Sequence, residues 1–171
     1  MKTKNIFLTL FILICALTIF SCANSHTVKS DEVMDSITVR NMVESQGFVF
    51  IPRYVNAVGV RSRDLSSGYE ILISKDTIIS YLPFFGRGYI ASISPADVDF
   101  DFTSTKFTNK TTNDRRGWNI SIKPKDQRYL QELYFRIFIN ASASLTITSN
   151  DRSSISYNGY ITERKLSKEK K

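Results

Sequence analysis

Cysteine and histidine are nearly absent from this chain, which removes several kinds of chemistry. Of its 171 residues, two are cysteines and one is a histidine, and Cys15, Cys22 and His26 all lie close to the N-terminus. The rest of the chain therefore has no disulfide to stabilise it, and neither thiolate nor imidazole to bind zinc. A nucleophilic site that relies on histidine is excluded for the same reason. We predict a protein without metal or cofactor, stabilised by its hydrophobic core alone.

Glycine is also sparse, with seven residues in the chain, and none of them belongs to a phosphate-binding loop. Gly86-Arg87-Gly88 is too short for such a loop, and no strand-to-helix pattern surrounds it. The formal net charge of +7 lies partly at the ends, in Lys2, Lys4 and the basic tail 164–171. The middle of the chain is thus only mildly basic, and we interpret the tail as a solvated terminus.

The first residues combine a positive start with a short apolar run over residues 6–20. This run of about 15 residues is shorter than the roughly 20 that a membrane-spanning helix needs, so residues 1–21 are predicted to be a signal peptide. The run ends in Ile19-Phe20-Ser21-Cys22, which resembles a bacterial lipobox. The resemblance implies that Cys22 is lipidated and that the polar residues 22–30 tether the domain to a membrane.

Residues 31–46 are predicted to form a helix, the only one in the mature chain. Ser30 or Asp31 is placed to cap its start, and Gly47 is placed to end it. Its loose apolar stripe at helical spacing consists of Met34, Ile37 and Val43.

After Gly47 the hydrophobic pattern changes to a period of two, which is typical of strands with one buried face. Alternating segments begin near residues 48, 69, 77, 98, 118, 133, 145 and 155. Turn-forming residues separate them, such as Lys75-Asp76 and Lys123-Pro124-Lys125-Asp126. Because an antiparallel meander hides its edges best by closing on itself, residues 47–163 are predicted to form a β-barrel of about 8–10 strands. A two-sheet β-sandwich is the alternative.

A second resemblance covers nearly the whole mature domain. It is carried, in chain order, by Phe48-Val49-Phe50-Ile51-Pro52, Leu65, Ser67-Gly68-Tyr69, Ser74-Lys75-Asp76, residues 81–87, Asp101-Phe102-Thr103-Ser104, Gly117-Trp118, residues 122–126, Arg152 and residues 155–161. These segments resemble a family of bacterial cell-envelope lipoproteins, mostly from Bacteroidetes, known as domain-of-unknown-function family 4251. The resemblance implies a lipocalin-like barrel and an envelope location. It implies no activity, because none is assigned to the family.

The residues after Cys22 favour one face of the envelope. Ala23-Asn24-Ser25 contains no acidic residue, whereas acidic residues at this place resemble the surface-export signal of Bacteroidetes lipoproteins. We therefore expect a protein that is lipid-anchored in the outer membrane and faces the periplasm. Nucleic acid is not an expected partner of such a secreted chain.

Residues 81–89 are the densest stretch of aromatic, proline, glycine and arginine residues in the chain. The candidate residues, for binding a ligand or for forming a structural corner of the barrel, are Tyr81, Phe84, Phe85, Arg87, Tyr89 and Arg152. Two arginines such as Arg87 and Arg152 can clamp an anion. The alternative is that each arginine binds a loop carbonyl or an aspartate and so caps one end of the barrel.

The sequence does not identify a reaction or a ligand. We interpret the protein first as a non-catalytic binding or structural module, which holds a small apolar or amphipathic ligand or docks an envelope partner. The alternative is a carboxylate-dependent hydrolase of envelope glycans, which needs two carboxylates about 5–9.5 Å apart in one cleft. Asp97, Asp99 and Asp101 alternate along one strand as such carboxylates or calcium ligands do, although the same spacing is typical of a solvent-facing strand surface.

Overall fold

The computed structural model describes residues 34–57, 59, 61–88 and 99–164. The signal peptide 1–21, the tether 22–30 with Cys22, and residues 165–171 of the basic tail therefore lie outside the described residues. In the described part of the chain, no helix is long and apolar enough to cross a membrane. The elements are α1 (Ser36–Glu44), β1 (Phe48–Ala57), β2 (Arg63–Asp64), β3 (Glu70–Ile73), β4 (Ile78–Leu82), β5 (Phe100–Ser104), β6 (Phe107–Asp114), β7 (Gly117–Pro124), β8 (Leu130–Phe138), β9 (Ser142–Ser149) and β10 (Ile155–Thr162).

Nine of the strands form one antiparallel sheet in the order β5-β4-β3-β1-β10-β9-β8-β7-β6, and the short β2 pairs with β1. Most strands that are consecutive in sequence are paired, the exceptions being at β2 and between β5 and β6. The last strand, β10, pairs with the first, β1. The sheet thus curls into a nearly closed barrel, and the predicted all-β barrel of about 8–10 strands is confirmed. The described strands do not divide into the two sheets of the alternative β-sandwich.

Inward-facing side chains fill this barrel. Phe135 of β8 meets Phe48 and Phe50 of β1 edge-to-face, with ring centroids 5.8 Å apart in both pairs. Since β8 lies three strands away from β1 in the sheet, these contacts cross the interior. The helix α1 packs onto the same core through Val39, Met42 and Val43.

The helix is shorter than the predicted interval 31–46. It begins at Ser36, after the N-cap Asp35, so its cap lies later in the chain than predicted. At its other end the left-handed residue is Gln46, with a φ of 54°. The chain therefore leaves the helix one residue before Gly47, the residue that was predicted to end it.

The barrel has a seam between β5 and β6, because these two strands do not pair with each other among the described residues. At one end of this seam, Asp126 in the turn between β7 and β8 binds the last residue of β5 and the two residues that connect β5 to β6. Its carboxylate accepts hydrogen bonds from Ser104 Oγ at 2.5 Å and from the backbone N–H groups of Thr105 and Lys106 at 2.8 and 3.1 Å. The hydrogen bond from Ser104 is the largest cause of a lowered pKa of Asp126, because these donors favour the charged carboxylate.

Replacing Asp126 with asparagine is expected to lower Tm near neutral pH, because one acceptor then faces three donors. The pKa of Asp126 lies below its ordinary value of 3.8. Its carboxylate therefore stabilises the fold above that pH, and the contribution is lost as the pH falls through the lowered pKa. The difference in Tm between wild type and Asp126→Asn, followed by circular dichroism, should narrow in acid. Asp64→Asn on β2 is the matched control, and a difference that does not change with pH would contradict the proposed role of the charge.

Candidate functional site

The stretch 81–88 leaves the sheet after β4 and pairs with the segment that precedes β10. Gly88 forms an isolated antiparallel bridge with Arg152. The backbone N–H of Arg87 donates to Ser153 Oγ at 3.1 Å, and the carbonyl of Arg87 accepts from the N–H of Ser153 at 2.9 Å. We call this junction the corner.

Two further hydrogen bonds hold the start of the corner. Tyr157 of β10 is fully buried, and its hydroxyl donates to the carbonyl of Pro83 at 2.7 Å. The N–H of Phe84 donates to Asp99 Oδ1 at 2.9 Å. Burial raises the pKa of Tyr157 far above its ordinary value of 10.0, and the charge of Asp99 raises it further. The Tyr157 hydroxyl therefore stays protonated near neutral pH and acts as a hydrogen-bond donor.

Arg152 is the charged centre of the corner, and only 3% of it is exposed. Its Nε and Nη2 atoms donate to the two carboxylate oxygens of Asp151 at 3.0 and 2.9 Å. The guanidinium also lies over three aromatic rings, 5.3, 5.1 and 5.5 Å from the centroids of Phe84, Phe100 and Tyr129. A guanidinium with these partners is held by the protein itself, as in a structural corner.

The other candidate residues of this stretch have different surroundings. Arg87 is exposed, and its guanidinium makes no hydrogen bond or ion pair with a described residue. Phe85 is half-buried, and the guanidinium of Arg63 lies 5.3 Å from its ring centroid. Tyr89 lies outside the described residues. The two arginines considered for an anion clamp therefore differ, since Arg152 is buried and paired whereas Arg87 is exposed.

The aspartate series 97–101 is also divided. Asp99 accepts the N–H of Phe84 and so belongs to the corner. Asp101 lies exposed on β5, where it is the cross-strand partner of Tyr81. Asp97 lies outside the described residues, and within them no group of three histidine, cysteine, aspartate or glutamate residues is placed to hold a metal ion.

A cleft of about 430 Å³ opens on the outer face of the barrel, across β4, β3, β1 and β10. We call it the outer groove. Its described lining consists of Val49, Ile51, Glu70, Leu72, Ile79, Tyr81, Tyr160, Thr162, Glu163 and Arg164. Successive side chains on a strand point to opposite faces, so these strand residues alternate with those that fill the interior, and the groove is separate from the core.

The strand register arranges this lining in two rows. The first row, which we call the aliphatic row, contains Ile79, Leu72 and Val49 as successive cross-strand partners, with Thr162 beyond them. The second row lies two residues further along each strand. In it Tyr81 pairs with Glu70, and Ile51 pairs with Tyr160.

Tyr81 stands between two carboxylates in the second row. Glu70 of β3 is its cross-strand partner on one side and Asp101 of β5 on the other. The ring of Tyr81 stacks on that of Tyr69 with centroids 5.6 Å apart. Neither carboxylate forms an ion pair with a described residue. We call Glu70, Tyr81 and Asp101 the acidic subsite.

Exposure of the apolar side chains along the groove is uneven: Val49 is buried, Ile51 and Leu72 are half-buried, and those of β4 are the most exposed. Ile79 is 45% exposed and Tyr81 is 50% exposed, although their strand β4 is paired with another strand on each side. Grouped exposed apolar residues next to polar ones are typical of surfaces that bind another molecule. The outer groove is therefore the candidate functional site of the described residues.

Of the groove residues, only Tyr81 is among the candidates predicted from the sequence. A further signal of the groove is the continuous apolar run in two strands, Phe48-Val49-Phe50-Ile51 and Ile71-Leu72-Ile73. A strand with one solvated face alternates between apolar and polar residues, whereas apolar residues on both faces indicate contacts on both sides. These runs, taken together with the exposed Ile79, would have identified the groove.

Comparison with known proteins adds a family to these observations. The model of a family described as a domain of unknown function, DUF4251, matches residues 32–161. Among solved structures, the chain is similar to the crystal structure of a DUF4251 family protein from Bacteroides eggerthii. The TM-score is 0.56 and the sequence identity is 16%, over 75% of this chain and 87% of that chain. At this identity the likeness concerns the fold alone. No curated protein matches the chain.

Proposed function

Because this chain belongs to the family described as a domain of unknown function (DUF4251), as its sequence predicted, we propose its function from its own residues: it is a lipid-anchored, non-catalytic protein of the cell envelope that docks a partner through the outer groove. The observation that carries the proposal is the distribution of apolar surface. The described interior is filled by side chains such as Phe48, Phe50 and Phe135, while further apolar residues face outward in the groove.

This distribution favours a partner on the outside over a small ligand inside. A barrel of this size either is filled by its own side chains or holds one small ligand. Here the three phenylalanines meet across the interior and occupy the space that a ligand would need. The small apolar or amphipathic ligand of the sequence analysis is therefore less compatible with the core than a docked envelope partner is.

The envelope location in this proposal rests on the sequence of residues 1–30. A positive start, a short apolar run and a cysteine at its end are the features of a lipoprotein signal. Each buried methylene of an acyl chain contributes about 0.8 kcal/mol, so a residue that carries several chains holds a small domain at a bilayer. The absence of acidic residues in Ala23-Asn24-Ser25 supports the periplasmic face of the outer membrane.

Cys22→Ala is expected to release the protein from membranes, because it removes the atom that carries the lipid. In cells fed a clickable fatty acid, the wild-type protein should be labelled and sediment with membranes. The variant should be unlabelled and soluble after lysis. Cys15→Ala is the matched control and should behave like the wild type. A Cys22→Ala protein that is still labelled and still sediments with membranes would show that the lipid anchor is wrong.

A further inference from the structure

We infer that the outer groove binds an extended segment of a partner protein in which an aliphatic residue and a lysine or arginine are two positions apart. This inference rests on the proposed docking function and names the chemistry of the docked segment. The aliphatic side chain packs on the aliphatic row, and the cation binds in the acidic subsite.

The spacing of the two rows supports an extended segment. Ile79 and Tyr81 on β4, like Leu72 and Glu70 on β3, are two residues apart on one strand. Residues so related on a strand are about 6.6–6.8 Å apart, since each residue advances the chain by about 3.3–3.4 Å. An extended peptide that lies along these strands presents its own alternate side chains at the same spacing. One such pair of side chains therefore meets the aliphatic row and the acidic subsite together.

Charge supports a cation at the second position. Glu70 and Asp101 flank Tyr81 as cross-strand partners, and side chains in that relation have Cβ atoms about 4.5–5.5 Å apart. A cation over the ring between them is attracted by both carboxylates, and neither carboxylate is paired with a described residue. Tyr81 adds a ring face that attracts a cation. In a chain with a formal net charge of +7, this is a local acidic site that matches a basic partner.

The same charges disfavour a membrane as the occupant. An anionic lipid surface would meet Glu70 and Asp101, and the like charges would repel. Arg164 and Glu163 also line the groove, and one charge of each sign offsets the other. A protein segment with a basic residue is therefore favoured over a lipid headgroup.

An NMR titration of the full-length chain in detergent micelles tests the inference. The probe is a synthetic octapeptide, Gly-Ser-Ile-Thr-Lys-Thr-Ser-Gly, and its counterpart carries glutamate in place of lysine. Changes in amide chemical shift caused by the lysine peptide should be confined to β1, β3, β4, β5 and β10 around the groove, and should become smaller as salt is added. The glutamate peptide should bind about tenfold more weakly. Glu70→Gln combined with Asp101→Asn should remove this preference, and Ile79→Ser should weaken binding of both peptides.

Glu132→Gln is the matched control, because this glutamate lies on β8 and accepts a hydrogen bond from Ser121 outside the groove. It should leave the affinity for the lysine peptide unchanged. Four outcomes would overturn the inference: equal affinity for both peptides, groove-dependent binding to phosphatidylglycerol vesicles, binding that appears only after removal of residues 165–171, or a dimer that buries the groove. If the Cys22→Ala protein were still membrane-bound, the proposed lipid anchor would be wrong, but the peptide titration does not depend on that anchor. A failure of the anchor and a failure of peptide binding are therefore distinguishable.

Discussion

Replacing Phe135 with alanine is expected to lower the free energy of unfolding by about 3–5 kcal/mol, the usual cost of deleting a buried aromatic ring. Phe135 is fully buried, and it contacts Phe48 and Phe50 on the far side of the barrel at centroid distances of 5.8 Å. Edge-to-face ring pairs add to the stabilisation from burial alone. Because the ring connects two distant strands, the alanine variant leaves a cavity that neither strand fills without moving.

Urea unfolding followed by tryptophan fluorescence measures this effect, since Trp118 on the neighbouring strand β7 reports on the same core. Tyr134→Ala is the matched control, because Tyr134 precedes Phe135 on β8 and is 41% exposed. The control should lose far less stability than Phe135→Ala. If both variants unfolded at the same urea concentration, the interior would not be the filled core that the proposed function requires.

The inward position of Phe135 is predictable from sequence, whereas its partners are not. Leu133, Phe135 and Ile137 are buried and alternate with exposed or half-buried neighbours, and that pattern depends on one strand alone. Contact with Phe48 depends on how many strands separate β8 from β1, and on the register of every ladder between them. The same limit applies to the acidic subsite. Glu70 and Asp101 are ordinary exposed residues until the register places one on each side of Tyr81.

The strand β6 shows why a buried face is needed for sequence prediction to succeed. Its residues after Phe107 are threonine, asparagine, lysine and aspartate, and most of them are exposed. The strand forms because it pairs with β7 along its whole length. Asp114 at its end binds Arg136 at 2.9 Å, and the hydrogen bond from Arg136 is the main cause that lowers the pKa of Asp114 to about 2. Backbone hydrogen bonds between strands do not require apolar side chains, so β6 has no alternation of apolar and polar residues. The hydrophobic pattern therefore does not predict this strand.

Replacing Arg152 with methionine is expected to cost about 3–5 kcal/mol of unfolding free energy, because it removes one partner of a buried ion pair. The side chains of Arg152 and Asp151 are 4% and 14% exposed. The carboxylate of Asp151 would therefore be left poorly solvated and without its cation. Methionine keeps much of the apolar stem of arginine, so the loss reports on the charged group more than on a cavity.

The pH dependence of this loss separates the ion pair from general packing. Burial raises the pKa of Asp151, but hydrogen bonds from Arg152 and Ser149 lower it more, and the net pKa lies below 3.8. The pair therefore stabilises the protein above that pH, and its contribution is lost as the pH falls through the lowered pKa of Asp151. The difference in unfolding free energy between wild type and Arg152→Met should be largest near neutral pH and should shrink in acid.

Arg87→Met is the matched control for the corner. Arg87 lies in the same stretch and its backbone also pairs with the segment before β10, but its side chain is exposed and makes no ion pair with a described residue. A surface substitution of this kind typically changes stability by less than about 0.5 kcal/mol. A large difference between the two variants would assign the corner a structural role. Equal stability of Arg152→Met and Arg87→Met would instead show that the Arg152 guanidinium is not needed for folding, and the corner would again be a candidate for binding a ligand.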